Sequence, residues 1–267
     1  MDINSLFGIK GKVAIVTGGS RGIGEMISAA LLANGVKTYI TARKAPALID
    51  KANELSQKFG GECIPIPCDL SSSEGIHEFV SEIKSKESSL DFLINNAGAA
   101  WAQPLMEYSE SGWDKVMDLN VKSLFFLTQQ LTPLLAKHAS FEAPSKVINI
   151  GSIDGINTAA FESFAYSASK AAVHHLTKVL AARLIKEKIV VNAIAPGPFP
   201  SNMLGSAVAH DYTIIAENNP SKRIGTPEDI GGLAVFLCSR AGNYTVGETI
   251  TCDGGLVARA GHNLSNS

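Results

Sequence analysis

This chain is poor in several things, and each shortage narrows what it can be. It has only four cysteines in 267 residues, Cys63, Cys68, Cys238 and Cys252, and no Cys-x-x-Cys pair. No Cys/His cluster has zinc spacing, so buried or incidental thiols in a reducing compartment are expected, and no metal. Charge of neither sign is in excess: 23 Lys and Arg stand against 25 Asp and Glu, a formal net charge of −2. That balance gives no reason to expect nucleic acid or an anionic membrane as a partner. Long hydrophobic runs are missing, and stretches such as Val13-Ala14-Ile15-Val16 are far too short to span a bilayer. Asp2 and scattered polar residues interrupt what would be the apolar core of a signal peptide, so a cytoplasmic location is expected. No repeat, low-complexity tract, charge block or Pro/Gly/Ser linker divides the chain, and a single domain over 1–267 is the reading.

What is present is a regular alternation of short apolar runs and helical patterns. Val13–Thr17 stops at glycines, as a buried parallel strand does. Further strands are expected at 36–41, 62–67, 91–95, 145–151, 189–195 and 248–252. Between them helical patterns run to Asn34, over 48–59 and 73–86, over 113–138 with a bend or break at Pro133, over 164–188, and from Pro227 to about Arg240. Seven strands alternating with helices predict an α/β fold, a doubly wound parallel sheet with helices on both faces. The stretch 198–220 has several prolines and little regular pattern. It is too long for an ordinary connection and is a candidate substrate lid. The tail from Ala258 reads as frayed.

The first strand runs into Thr17-Gly18-Gly19-Ser20-Arg21-Gly22-Ile23-Gly24 and then a helix. Such glycines let backbone approach a pyrophosphate, and the helix start offers free N–H groups and positive dipole. The spacing is Gly-x-x-x-Gly-x-Gly, not Gly-x-Gly-x-x-Gly, so a plain tight turn stays open on this stretch alone. After the second strand an acidic residue would bond the ribose 2′-hydroxyl of NAD, whereas arginine suits the 2′-phosphate of NADP. Here Ala42-Arg43-Lys44 follows, with no Asp or Glu nearby, and Arg21 can add a second guanidinium. NADPH/NADP+ is the expected cofactor. Asp69 and Leu70 end the third strand at the sheet's carboxyl edge. Asp69 is either a partner for the adenine amino group or an Asx turn opening the next helix. The fourth strand ends in Asn95-Asn96-Ala97-Gly98, where glycine permits close approach to a ligand.

Tyr166 and Lys170, four apart in a helical pattern, share one face about one turn apart. A neighbouring ammonium favours the phenolate of a tyrosine, so the pair can move a proton near neutral pH. Ser152 follows the fifth strand, again at the carboxyl edge. Asn120 lies on an apolar stretch (Val116, Met117, Leu119, Val121) and needs hydrogen-bond partners there, as a core amide or as part of a site. His174 and His175 read as helix-face residues, and His210 in the candidate lid has no assigned role.

In order and spacing, TGGSRGIG at 17–24, NNAG at 95–98, Asn120, Ser152, YSASK at 166–170 and Pro196-Gly197 resemble the short-chain dehydrogenase/reductase family over residues 11–256. The segments 111–117, 138–146 and 195–201 are similar to its 3-oxoacyl reductase-like branch. The resemblance implies that Tyr166 protonates a carbonyl oxygen as hydride arrives from the nicotinamide, and that Ser152 hydrogen-bonds that oxygen. It implies that Lys170 holds ribose hydroxyls and lowers the tyrosine pKa. It further implies that Asn120 holds a water in a proton relay, and that Asn95 fixes the cofactor-side strands. Gly18, Ser20, Arg21, Gly22, Ile23, Gly24, Arg43, Lys44, Asp69, Leu70, Asn96, Ala97, Gly98, Tyr166, Lys170, Pro196, Gly197 and Ser201 would then line the cofactor. Bringing a phenol from ~10 to ~7 takes about 4 kcal/mol of differential stabilisation. A homodimer or homotetramer built on the helices of 113–138 and 164–188 is implied as well.

Three departures bear on the nicotinamide and the substrate. Family members usually carry Thr where Ser201 stands, so the hydroxyl is kept and the methyl lost. Pro133 and Glu187 occupy places where acyl-carrier-docking reductases have basic residues, although Lys186 and Lys188 flank the second. A CoA ester or a small free ketone is therefore as good a candidate as an acyl-carrier substrate. Asp154 stands where small apolar residues are common, either facing the pocket and favouring a polar substrate or as a solvated loop acid. The leading expectation is an NADPH-dependent reductase of a 3-oxoacyl-type or related ketone. A polyol or sugar-acid dehydrogenase is a second reading, and Arg43-Lys44 argues against it because cellular NADP pools favour reduction. A non-catalytic NADP(H)-binding regulator is a third, and the intact Asn120, Ser152, Tyr166 and Lys170 argue against that.

Overall fold

The computed structural model describes residues 1–159, 161–201, 204–205 and 211–258. Its sheet is built from β1 (Val13–Thr17), β2 (Lys37–Ala42), β3 (Cys63–Pro67), β4 (Phe92–Asn95), β5 (Ser145–Ile150), β6 (Ile189–Pro196) and β7 (Thr249–Cys252). The order is β3-β2-β1-β4-β5-β6-β7 and every pairing is parallel. Each strand lies within one residue of its expected bounds. The order reverses between β1 and β4, and that crevice at the carboxyl edge is where an open α/β sheet binds ligands.

Alternation along the strands splits the core in two. Ala14 and Val16 of β1, Phe92 and Ile94 of β4 and Ile148 of β5 face one side, where α2 (Gly22–Ala33), α3 (Ala45–Phe59) and a late helix (Pro227–Cys238) cover them. Ile15, Leu93 and Val147 face the other, against α4 (Ser73–Lys86), α6 (Ser123–Ala136) and α7 (Phe164–Leu184). Helices on both faces are what buries a sheet of near-continuous apolar strands. A short α1 (Ile3–Phe7), capped by Asp2 Oδ1 and Oδ2, precedes the sheet.

Three helices differ from expectation. α3 starts at Ala45 rather than 48 because Pro46 opens its first turn, where a missing N–H costs nothing. The 113–138 pattern is two helices, α5 (Glu110–Met117) and α6, joined by a π turn at Asp118–Lys122. Pro133 does not break α6, whose buried Leu127, Leu131 and Leu135 hold it on the core. The break lies instead where the Ser123 N–H reaches back five residues to the Asp118 carbonyl, and the Ser123 hydroxyl takes the Leu119 carbonyl so released, at 2.6 Å. Within 198–220, α8 (Thr213–Asn218) is regular, and α9 (Pro227–Cys238) follows, closed at its start by a Thr226/Asp229 capping box. Residues 202–203 and 206–210 of the candidate lid, including His210, and the tail from 259 lie outside the described residues. Among the described residues no helix is long and apolar enough to cross a membrane.

Candidate active site

The glycine turn sits at the switch point. Gly18 (φ 64°) and Gly22 (φ 54°) are left-handed, and a Cβ on Gly24 would strike the Gly18 carbonyl and the Asn96 amide. Thr17 Oγ1 accepts from the N–H groups of Asn96 (2.9 Å) and Ala97 (2.8 Å), and Asn96 Nδ2 donates to the carbonyls of Thr17 (2.8 Å) and Gly18 (3.2 Å). These bonds tie the end of β1 to the segment after β4 and leave a cradle of backbone at the start of α2. That cradle suits a pyrophosphate: the glycines are required for its shape, and the first-turn N–H groups of α2 have no helical acceptor. Ser20 and Ile23 are half-buried beside it, and Arg21, the residue preceding α2, is exposed. Ser201 lies against this turn, 3.3 Å from where a Gly22 Cβ would be, with its hydroxyl accepting from Leu204 N–H at 3.2 Å.

Arg43 and Lys44 are exposed where β2 ends, with Lys44 immediately before α3. Asp69 forms the Asx turn: its Oδ1 accepts from Ser71 N–H (3.0 Å) and Ser71 Oγ (2.7 Å). Partial burial works to raise its pKa, but these bonds and the nearby Arg43 outweigh it and hold the carboxyl below its usual range. Leu70 is buried in the core, so only its backbone is free to serve a ligand. At the far side of the switch point, Pro196 closes β6, and Gly197 lies so close to Asp253 that a Cβ would come within 2.8 Å of its Cα.

The proton-handling groups converge on the ends of β5 and the start of α7. Lys170 is buried, and its Nζ donates to the Ile150 carbonyl at 2.8 Å. The same Nζ lies 5.5 Å from the centre of the Tyr166 ring. Ser152, also buried, accepts the Asp154 N–H on its hydroxyl at 3.1 Å and is hydrogen-bonded to the tyrosine phenol. Asn120 sits in the π turn: Oδ1 accepts from Ala99 N–H (2.8 Å), and Nδ2 donates to Ala99 O (3.0 Å) and Ser169 Oγ (2.9 Å). Both amide hydrogens are thereby engaged. The side chain clamps the loop after NNAG to α7, and one Oδ1 lone pair is all it has left for a water. Gly98 lies beneath it, 3.2 Å from Oδ1 to where a Cβ would be. Asn95 does bind the layers together, donating to Thr128 Oγ1 (3.0 Å) and Asn149 Oδ1 (2.9 Å).

The electrostatics differ from expectation at the tyrosine. Burial pushes its phenol up to about 12; the Ser152 hydrogen bond pulls it down and Asp154 pushes it further up. Lys170 is itself lowered to about 8 by burial, with Asp154 acting in the opposite sense. Desolvation disfavours the charged form of each partner, so the ammonium does not dominate the phenol as simple spacing suggested. Asp154 is half-buried beside this pair and its carboxyl is raised by burial against the pull of Lys170, so it is no solvated loop acid. His174, expected on a helix face, is buried beneath the Ser152 loop, whereas His175 is exposed. Its i+4 spacing from Lys170 was the available sequence signal.

A family model described as "Enoyl-(Acyl carrier protein) reductase" matches residues 18–257. The chain belongs to the short-chain dehydrogenase/reductase family. It is 45% identical over 252 residues to the rhamnolipids biosynthesis 3-oxoacyl-[acyl-carrier-protein] reductase of Pseudomonas aeruginosa, covering 94% of this chain and 98% of that one. It is 34% identical over 264 residues to the 2-dehydro-3-deoxy-D-gluconate 5-dehydrogenase of Dickeya dadantii, covering 96% and 100%. Among solved structures, the Pseudomonas aeruginosa RhlG/NADP active-site complex matches with a TM-score of 0.90 and 45% identity, covering 95% of this chain and 99% of that one. Family members of both kinds, acyl reductase and sugar-acid dehydrogenase, are thus similar along the whole described fold.

Proposed function

We propose that this short-chain dehydrogenase/reductase is an NADPH-dependent reductase that converts a ketone of 3-oxoacyl type, or a related carbonyl, to a secondary alcohol. The observation that carries the reading is the convergence of Ser152, Tyr166 and Lys170 at the carboxyl edge, beside a glycine cradle that fits a pyrophosphate. Arg21, Arg43 and Lys44 are the cations that would meet a 2′-phosphate, in keeping with the NADP of the related complex. When bound, NADPH supplies the hydride. The chain's own part is the proton and the orientation. Ser152 Oγ hydrogen-bonds the carbonyl oxygen, and Tyr166 Oη gives its proton to that oxygen as negative charge develops there. A phenol held neutral by burial keeps that proton until the oxygen becomes basic enough to take it. Lys170 stands behind the tyrosine, anchored on the Ile150 carbonyl, and returns the proton through the Asn120 side of the site. The segment 198–220, with α8 inside it, closes over the substrate, and the protein works in the cytoplasm as a homo-oligomer.

Asp154 favours a second reading, a dehydrogenase of a polyol or sugar acid, because a half-buried carboxylate beside the site suits a hydroxylated substrate. A screen of NADPH consumption across 3-oxoacyl-CoA esters, 3-oxo esters, diketones and ketosugars separates the two. Turnover of 3-oxo esters or thioesters is expected. Reaction with ketosugars alone would transfer the assignment to the second reading, and no reaction with any carbonyl would remove both.

A further inference from the structure

We infer that His174 is a positioning residue for Ser152: a neutral imidazole lodged between Gly151 and Gly155, accepting the Ser152 N–H and so fixing the loop that carries the hydroxyl. The inference rests on the role proposed above for Ser152. His174 follows Lys170 by four residues on α7, so its ring lies one turn further along the same buried face. Opposite stands the loop from Gly151 to Gly155. A Cβ on Gly151 would strike His174 Nε2, and one on Gly155 would come within 2.9 Å of His174 Cε1. Neither glycine has a positive φ, so neither is required by backbone conformation. Gly151 supplies room for the ring, and Gly155 lets the loop approach both the ring and the α7 backbone at Lys170 and Ala171.

The ring uses both nitrogens. Ser152 N lies 3.4 Å from Nε2, and the Gly155 backbone takes the remaining ring N–H. An N–H donor aimed at Nε2 demands the tautomer protonated on Nδ1. The charged groups that act on the ring are Lys170 and Lys178 from its own helix; Asp154, in the Ile153–Gly155 turn packed against it, acts on Lys170 instead. β6, packed behind Gly151, brings the Ile194 carbonyl and no ionisable group, and the only ionisable residue of β5, Lys146, is at its other end. Burial first, and then the two lysines, hold the ring neutral. Protonation would remove the acceptor for Ser152 N–H and set a new cation against Lys170, so the catalytic loop loses its tie as pH falls.

His174→Leu removes both bonds at similar size, whereas His174→Gln keeps one acceptor and one donor. With 3-oxo ester substrate, His174→Leu is expected to lower kcat by about tenfold with the NADPH KM unchanged, and His174→Gln to restore most of it. The wild type should lose kcat only in acid below the ordinary histidine range, where the lowered ring at last takes a proton, and His174→Gln should lack that fall. Wild-type kinetics in His174→Leu across the pH range would overturn the inference. Equal impairment of both variants, with NADPH binding weakened alike, would overturn it too by marking the residue as merely structural. The imidazole 15N resonances give a reading that needs no substrate. A bare Nε2 and protonated Nδ1 at neutral pH support the inference, even should no carbonyl be turned over; a protonated Nε2 refutes it.

Discussion

The two ends of β5 each hold a buried lysine, and the two are alike in nearly everything except use. Lys146, at the amino end, is 2% exposed, donates to Asn243 Oδ1 at 2.7 Å and is lowered to about 8 by burial. Lys170, at the carboxyl end, is 5% exposed, donates to the Ile150 carbonyl at 2.8 Å and is also lowered to about 8 by burial. Along β5 the two ends stand roughly 17 Å apart at ~3.3 Å per residue. A perturbed lysine is therefore no mark of a site in this fold. What distinguishes Lys170 is the edge it occupies: a phenol one helical turn away, a serine after the strand, and the glycine cradle across the switch point. At the amino end the lysine meets the Asn243 amide, whose Nδ2 in turn holds the Glu142 carbonyl at 3.0 Å, and the buried Cys238 thiol. These bonds tie the amino end of β5 to the segments around Glu142 and Asn243.

The largest expected effect tests the carboxyl end. Tyr166→Phe removes the group proposed to give its proton to the carbonyl oxygen, and kcat should fall by ~10³ or more while NADPH still binds. Single-turnover kinetics beside a fluorescence titration of NADPH measure both. Wild-type-like turnover in this variant would sink the mechanism.

Next comes the pair itself. Lys170→Met should cost ~10² in kcat, whereas Lys146→Met should leave kcat/KM within about twofold. Stability should separate them less than activity does, since either change relieves a buried charge. The sign follows from linkage. A lysine lowered to about 8 in the fold but ordinary when unfolded binds fewer protons in the native state between pH 8 and 10.5. Its cost is thus full below pH 8 and fades as pH rises to 10.5. The stability advantage of Lys146→Met over the wild type should be greatest at neutral pH and shrink through that window in urea melts. A gap independent of pH would show that Lys146 is not held as a depressed base.

Much of this comparison was legible in the sequence, and the rest failed for physical reasons. Tyr166 and Lys170 are four apart on one helix, and strand ends are marked by Gly18, Gly98, Gly151 and Gly197, so periodicity and glycine alone place the edge. Lys146 gave no sign, because burial at the foot of the sheet comes from Asn243, nearly a hundred residues away in sequence. A bend or break is expected at Pro133 because proline is a visible breaker, whereas the irregularity lies at Asp118–Lys122, where Asn120 is bonded to Ala99 and Ser169 across the fold. His174 reads as an ordinary helix-face residue; its i+4 spacing from Lys170 is the one local hint, and only the fold brings Gly151 and Gly155 against it. The raised tyrosine pKa was missed for a similar reason: spacing reports the neighbouring charge, and only the fold reports the desolvation.

The smallest effect sharpens the contrast from the middle of the strand. Asn149 lies on β5 between the two ends, fully buried, accepting from Asn95 Nδ2 at 2.9 Å and donating to Thr177 Oγ1 at 2.9 Å. The chain of bonds continues from Thr128 to Leu124 O on α6 and from Thr177 to Val173 O on α7. It spans α6, β4, β5 and α7 and ends one residue from His174. Asn149→Val fits the strand but strips a donor and an acceptor from this line. Because Thr128 and Thr177 keep their helical carbonyl partners, the loss should stay at about 1–2 kcal/mol of unfolding free energy. Activity should fall by less than about fivefold, since no group of the chain touches substrate through Asn149. A larger fall in kcat than in stability would mean that the middle of β5 transmits to the Ser152 loop, and the boundary between the structural and the catalytic end of the strand would move toward its centre.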